Sequence, residues 1–255
     1  MKPTGFLPSL VLGAHGLTHP ASSLASRSQR LSINDLMGLI SELFPFNTTL
    51  EAAQDLITAA DQVLADVEGF ETTRDDLNNG VCGDVLVIFA RGTSEPGNVG
   101  ALVGPEFFVA IQDTLESGST LAVQGVGDYG ATVTGYLQGG EPGASLEMAS
   151  LVTQAFTKCP QTKIVLSGYS QGGQIVHNAA SLLPAATMKA VSSVVIFGDP
   201  SSSQRVANAD TSRVLILCHA DDDICQGGDI IALEHLTYAA DAYKAAEFVL
   251  STAEL

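Results

Sequence analysis

Short apolar runs alternate with longer amphipathic segments along the chain from residue 81 onward. Runs rich in valine, isoleucine and leucine predict buried β-strands at 84–90, 121–125, 163–167, 192–197 and 213–218. Apolar residues recur at helical spacing over 105–116, 144–158, 171–183 and 236–250. Strands that alternate with helices predict an α/β fold: a three-layer α/β/α sandwich around a central five-stranded parallel sheet.

Two further helical segments precede this unit, at 33–44 and 50–67. Thr48, with Glu51 three residues later, has the pattern of a capping box at the start of the second segment. In the first segment, the apolar residues fall on one helical face. That face predicts either ordinary packing against the sheet or a neighbouring helix, or a lid over an apolar active site.

The amino terminus has the features of an export signal. Lys2 precedes a short apolar stretch over 6–14, and Ser23 and Ala25 are small residues suited to a cleavage site. We therefore predict a signal peptide at 1–25, a linker or pro-segment at 26–31, a helical extension at 32–80 and the main domain at 81–255. Since no segment approaches a run of about 20 apolar residues, we expect no integral membrane segment.

Composition narrows the classes of function. The chain has 255 residues, of which 45% are hydrophobic and 15% charged, enough to bury one substantial core. Its formal net charge of -17 would repel phosphate backbones, which argues against nucleic-acid binding. Four cysteines without CxxC spacing favour two disulfides in an oxidising compartment, with three pairings open: Cys82, Cys159, Cys218 and Cys225.

A candidate nucleophile lies in the sequence 168–172, Gly-Tyr-Ser-Gln-Gly, which matches the G-x-S-x-G pattern. The pattern follows a predicted strand and opens a predicted helix, the context in which the serine stands on a sharp, strained turn. Ser170 is therefore the predicted nucleophile. Gln171, at the start of the helix, can direct its backbone N–H at a developing oxyanion.

The predicted base is His235, chosen from five histidines. His15 and His19 lie in the predicted leader, His177 lies about two turns into the helix after Ser170, and His219 directly follows a cysteine. His235 follows both the serine and an acidic cluster, which is the order Ser, acid, His of this hydrolase architecture. The acid between them is not fixed by sequence order, and six residues compete: Asp199, Asp210, Asp221, Asp222, Asp223 and Asp229.

From about residue 81 to 242 the chain resembles the fungal cutinases, and its amino-terminal extension resembles the subgroup typified by the lid-bearing Trichoderma cutinase. The segments that carry the resemblance occur in the family's order, at 82–84, 89–98, 124–127, 168–172, 218–225 and 235–236. The resemblance implies disulfides Cys82–Cys159 and Cys218–Cys225. It selects Asp222 as the triad acid, and it implies an oxyanion hole formed by Thr93 and Gln171.

The function that this resemblance implies is that of a secreted serine esterase acting on cutin-like polyesters and short-to-medium-chain lipid esters. Acetylxylan esterase, triacylglycerol lipase and a surface-active elicitor protein without activity are the alternatives. Apolar residues expected near the mouth of the site favour acyl chains over sugars: Leu102, Val103, Phe107, Leu233 and Leu236. We expect a monomer without metal or organic cofactor, since neither a ligand cluster nor a nucleotide-binding glycine pattern appears.

Overall fold

The structure, a computed structural model, describes residues 1, 38, 42, 47–127 and 129–254, apart from the side chain of Leu56. The chain forms two compact units, Met1–Arg30 and Leu31–Leu255. The predicted signal peptide, the linker and the helix at 33–44 lie outside the described residues, except for Met1, Gly38 and Glu42. Of these, Gly38 and Glu42 are helical.

A five-stranded sheet forms the centre of the second unit. Its strands are β2 (Val85–Ala90), β3 (Leu121–Gly125), β4 (Lys163–Tyr169), β5 (Ser193–Phe197) and β6 (Val214–Leu217). They lie in the order β3-β2-β4-β5-β6, and every neighbouring pair is parallel. The five predicted strands are confirmed to within two residues at each end. A short antiparallel pair, β1 (Thr48–Thr49) with β7 (Ile230–Ile231), was not predicted.

Helices cover both faces of this sheet. They are α1 (Leu50–Glu68), α2 (Gly104–Thr114), α3 (Val133–Leu137), α4 (Pro142–Lys158), α5 (Gln171–Leu182), α6 (Ala185–Ala190), α7 (Leu233–Leu236) and α8 (Ala242–Ala253). One apolar cluster joins one sheet face to α1, α2 and α8, and a second joins the other face to α4, α5 and α6. The predicted three-layer α/β/α sandwich is confirmed.

The start of α1 differs by one residue from the prediction. Thr49, not Thr48, is the N-cap, and its hydroxyl accepts the Ala52 N–H at 3.3 Å. Thr48 instead belongs to β1, where it lies opposite Ile231. Because Glu51 is then only two residues beyond the cap, the capping-box prediction is wrong, although the helix itself is confirmed.

The predicted helix at 236–250 is wrong at its start. The chain forms α7, then a 3₁₀ turn at Tyr238–Asp241, and only then α8. Thr237, with φ -111° and ψ 14°, separates the first two elements. Tyr238 is fully buried with its hydroxyl in the site, so tertiary contacts shape this backbone more than helical periodicity does.

Two disulfides fasten the main domain, Cys82–Cys159 and Cys218–Cys225, in the pairing that the resemblance implied. The segment before β2 protects the edge of the sheet at β3. The Asp76 N–H donates to the Val123 carbonyl at 3.1 Å, and the Gly125 N–H donates to the Arg74 carbonyl at 2.8 Å. This edge is therefore already paired within the chain.

Candidate active site

Ser170 occupies the turn between β4 and α5. Its backbone angles, φ 55° and ψ -121°, are rarely adopted by residues with a side chain. Close approach of strand and helix requires the flanking glycines. A Cβ on Gly168 would lie 2.3 Å from the Gly172 carbonyl oxygen, and one on Gly172 would lie 1.9 Å from that of Ala90. The sequence therefore builds a tight turn that presents the Ser170 hydroxyl at the carboxyl edge of the sheet.

His235 meets this hydroxyl from α7. Its Nε2 lies 3.0 Å from the Ser170 Oγ, and the imidazole is almost fully buried. The Tyr169 ring stacks on the imidazole with centroids 5.2 Å apart, and its hydroxyl donates to the His235 carbonyl at 2.9 Å. Tyr169, the residue before Ser170, thus fixes both the backbone and the ring plane of His235.

Asp222 lies on the other side of the imidazole. Its Oδ2 is 2.9 Å from His235 Nδ1, and its Oδ1 accepts the Ile224 N–H at 3.1 Å. Because a carboxylate only accepts, Nδ1 carries the proton and Nε2 is left to accept from the Ser170 hydroxyl. Burial opposes ionisation of Asp222, but the hydrogen bonds from His235, Tyr238 and Ile224 outweigh it and hold its pKa below the ordinary value.

The other two aspartates of this loop point elsewhere. Asp221 is exposed and has a positive φ of 68°. Asp223 accepts the Ile230 N–H at 3.0 Å and so anchors β7. The Cys218–Cys225 disulfide closes the loop around all three, and only Asp222 turns inward.

The remaining histidines within the described residues have other partners. His177 pairs with buried Asp199 at 2.9 Å, and His219 pairs with Asp241 at 2.6 Å. The side chains of His15 and His19 lie outside the described residues. Of the other candidate acids, Asp210 caps a 3₁₀ turn and Asp229 lies on the surface before β7.

Thr93 and Gln171 lie side by side next to Ser170. The Gln171 side-chain amide donates to the Thr93 Oγ1 at 2.9 Å and to the Thr132 carbonyl at 2.9 Å. Since the Thr93 oxygen accepts this bond, its own proton can turn towards another acceptor. Gln171 is also the first residue of α5, so its backbone N–H has no acceptor within the helix. Two donors are therefore available at this point.

A small apolar cavity lies above Ser170. Its volume is about 10 Å³, room for about one water molecule. The residues that line it are Leu50, Ile57, Thr93, Leu102, Tyr169, Ser170, Ile231, His235 and Leu236. Two of these, Leu50 and Ile57, come from α1, so within the described residues this helix closes the site.

The predicted mouth is correct only in part. Leu102 and Leu236 line the cavity, whereas Val103 and Phe107 do not. Phe107 is fully buried and packs edge-on against Phe197 with ring centroids 5.2 Å apart. Leu233 is half-buried against the same core. Apolar character alone did not separate core residues from cavity residues.

A family model described as Cutinase matches residues 81–253. The chain belongs to the cutinase family. It is 48% identical over 242 residues to a cutinase of Trichoderma harzianum, covering 94% of each protein. It is also 50% identical over 203 residues to a cutinase of Pyrenopeziza brassicae, covering 80% of this chain and 98% of that relative.

Solved cutinase structures agree with this assignment. Trichoderma reesei cutinase, solved in complex with a phosphonate inhibitor, has a TM-score of 0.74 and 48% identity, covering 87% of this chain and 97% of that one. An acetylxylan esterase has a TM-score of 0.50 and 25% identity, with coverage of 68% and 99%. The chain is therefore a carboxylic ester hydrolase with the α/β-hydrolase fold.

The sequence analysis of this cutinase missed three contributors to the site: Tyr169, Tyr238 and the closing face of α1. The tyrosines are adjacent to Ser170 and three residues after His235, but no pattern there indicates their hydroxyl contacts. Among the described residues, no cluster of three or more His, Cys, Asp or Glu side chains is arranged to hold a metal ion. In the same part of the chain, every helix is too short or too polar to cross a bilayer.

Proposed function

We propose that this cutinase uses Ser170 as nucleophile, His235 as general base and Asp222 as the orienting acid. The observation that carries the proposal is the unbroken line of hydrogen bonds from Asp222 through His235 to Ser170, at 2.9 and 3.0 Å. All three side chains are at most 3% exposed, so the line is shielded from water. Both distances are within the range expected for proton transfer.

The reaction follows from this order of donors and acceptors. His235 Nε2 takes the proton from the Ser170 hydroxyl as its oxygen attacks the ester carbonyl carbon. The oxyanion that forms accepts from the Thr93 hydroxyl and the Gln171 N–H, which is their proposed role. His235 then protonates the departing alcohol, and water activated by the same nitrogen hydrolyses the acyl-enzyme.

The proposed substrates are cutin-like polyesters and short-to-medium-chain lipid esters. The lining of the cavity supports this, because five of its nine residues are aliphatic: Leu50, Ile57, Leu102, Ile231 and Leu236. Among the described residues, no charged side chain and no tryptophan lines the cavity. The cavity therefore lacks side chains suited to hold a sugar. The relatives described above are cutinases, which supports the same substrate class.

The proposed organisation retains the segments at 1–25, 26–31, 32–80 and 81–255, with the amino-terminal helical extension acting as a lid. Support for the lid comes from α1, whose Leu50 and Ile57 leave about 10 Å³ above Ser170, too little for an acyl chain. Secretion as a monomer is also proposed. Two disulfides support export, since such bonds persist in oxidising compartments.

One assay set tests the residues and the substrate class together. We expect activity on a chain-length series of p-nitrophenyl esters and on solid cutin, and little on acetylated xylan. Ser170→Ala should lose about 10⁵- to 10⁶-fold in kcat. Ser181→Ala, on the same helix but bonded to the His177 carbonyl, is the matched control and should retain activity.

Labelling gives an independent readout. A serine-directed phosphonate should add one group to the wild-type protein and none to Ser170→Ala. Labelling of the alanine variant would refute Ser170 as the nucleophile. Preferred release of acetate from xylan over hydrolysis of butyrate esters would refute the polyester assignment and favour the acetylxylan esterase.

A further inference from the structure

We propose that Tyr238 is a positioning residue for this reaction, one that holds the Asp222 carboxylate in the orientation in which it supports His235. The inference rests on the proposed triad and adds a fourth residue to it. Tyr238 does not line the cavity above Ser170, and its hydroxyl donates to Asp222, so the effect of the hydroxyl is assigned to that carboxylate.

In space, the Tyr238 side chain lies between the two segments that carry Asp222 and His235. It opens the 3₁₀ turn three residues after His235, and its side chain is fully buried. The ring stacks on His219 with centroids 4.1 Å apart and meets the His235 ring edge-on at 6.1 Å. Its hydroxyl thereby reaches the loop that the Cys218–Cys225 disulfide closes.

The directions of the two short hydrogen bonds at this hydroxyl are fixed by their partners. The His219 backbone N–H lies 2.8 Å from the phenol oxygen and can only donate. The Asp222 Oδ2 lies 2.7 Å away, and an ionised carboxylate can only accept. The single phenol proton therefore points at Asp222, and a backbone amide occupies the oxygen from the other side. The hydroxyl is held in this orientation.

Tyr238 completes a three-point attachment of the carboxylate. Oδ2 accepts from both Tyr238 and His235 Nδ1, and Oδ1 accepts from the Ile224 N–H. Without the phenol, the carboxylate keeps only the His235 contact at Oδ2 and the Ile224 amide at Oδ1, so it is oriented less firmly and the bond to the imidazole loses alignment. Removal of one hydrogen bond to a charged group should lower the rate by about 10- to 100-fold.

The test is Tyr238→Phe, which keeps the buried ring and removes only the hydroxyl. Tyr243→Phe is the matched control, because Tyr243 also donates to an aspartate, Asp113, at 2.9 Å but on the exposed face of α8. We expect Tyr238→Phe to lower kcat on p-nitrophenyl butyrate by about 10- to 100-fold with KM unchanged. The control should retain wild-type kcat and KM.

A pH profile separates positioning from mere folding. Without the phenol donor, more of the Asp222 charge is available to a protonated imidazole. We therefore expect the acidic limb of kcat/KM to move to higher pH in Tyr238→Phe and not in Tyr243→Phe. A folded Tyr238→Phe enzyme with wild-type kcat and an unmoved limb would overturn the proposal.

A double-mutant cycle tests whether the effect passes through the acid. In an Asp222→Asn background, Tyr238→Phe should cause little further loss in kcat, because the charged carboxylate that it orients is gone. Losses that multiply in the double variant would show that Tyr238 acts elsewhere and would overturn the proposal. If Asp222→Asn alone kept full activity, the triad assignment would fail instead, so the two proposals are tested separately.

Discussion

Asp61 offers a quantitative test of the helix that closes the site. It lies on α1, is fully buried, and neither carboxylate oxygen has a hydrogen-bond partner among the described residues. Burial, and secondarily the charge of Glu95, raise the pKa of Asp61 well above its ordinary value. The change to make is Asp61→Asn, which keeps the shape of the side chain and removes its ability to ionise.

Of these two neighbouring acids, Asp61 keeps the proton. Glu95 is also buried, which raises its pKa, but its carboxylate accepts backbone hydrogen bonds that favour the charge. These come from the N–H groups of Gly92, Ala101 and Leu102. Because Asp61 has no such donor among the described residues, neutral Asp61 beside ionised Glu95 is the arrangement of lower energy.

The sign of the pH effect follows from proton linkage. Where the native state holds a proton that the unfolded chain has released, stability falls as pH rises. For Asp61 this window begins near the ordinary aspartate pKa of 3.8 and extends up to the raised native value. The slope is at most about 1.4 kcal/mol per pH unit for one proton. At about 2–4 °C per kcal/mol for a domain of this size, Tm changes by up to about 3–6 °C per pH unit.

The assay is thermal unfolding of the wild type and Asp61→Asn at several pH values from 4 to 7. We expect the difference in Tm between Asp61→Asn and the wild type to shift in favour of the Asn variant as pH rises. Asp66→Asn, on the same helix but exposed, is the control and should show no such trend. A Tm difference that stays constant over this range would refute the buried neutral carboxyl.

Four further changes test the site and its surroundings. Thr93→Val should lower kcat by about 10²- to 10³-fold while Thr93→Ser retains activity, measured on a soluble ester; equal rates would exclude the hydroxyl as an oxyanion donor. Serine replacement of Cys82–Cys159, which spans 77 residues, should cost about 4–5 kcal/mol by denaturant unfolding. Replacement of Cys218–Cys225, which spans 7 residues, should cost only about 2 kcal/mol but lower kcat more, because it frees the Asp222 loop. Ile57→Ala should raise kcat/KM on soluble short esters and lower stability by about 2–4 kcal/mol; unchanged kcat/KM would argue against closure by α1.

The nucleophile turn and the sheet were predictable because their signals are local. A run of β-branched residues predicts a buried strand wherever it packs, and the G-x-S-x-G pattern around Ser170 lies within five consecutive residues. The same applies to α1, whose existence follows from periodicity. The position of its N-cap does not follow from periodicity, because Thr48 and Thr49 are both good caps and the pairing of β1 with β7 decides between them.

The acid could not be predicted from spacing alone. Asp221, Asp222 and Asp223 are consecutive, so any one of them satisfies the order Ser, acid, His. What distinguishes them is the direction of each side chain in a loop closed by a disulfide, which places one in solvent, one against His235 and one under β7. Only the resemblance to a family, or coordinates, carries that information.

Amphipathic pattern likewise could not show which helix covers the site. A helix with one apolar face satisfies the same pattern whether that face meets a core or a cavity. One face of α1 meets both the core and the cavity. Leu50 and Ile57 belong to the apolar cluster that joins α1, α2 and α8 to the sheet, and they also line the cavity above Ser170. The lid predicted at 33–44 lies outside the described residues, whereas this face of α1 was not singled out.

The proposed triad and its proposed cover are built from separate contacts, and this separation has a consequence for regulation. Among the described residues, the hydrogen bonds that orient Asp222 and His235 come from β4, the disulfide loop and the 3₁₀ turn at Tyr238–Asp241, and none comes from α1. The line from acid to serine is thus complete while the cavity is closed, so a lid formed by α1 would need only to admit substrate and not to assemble the three side chains. Changes at Asp61 should therefore act on KM and on the response to ester surfaces, whereas changes at Tyr238 should act on kcat.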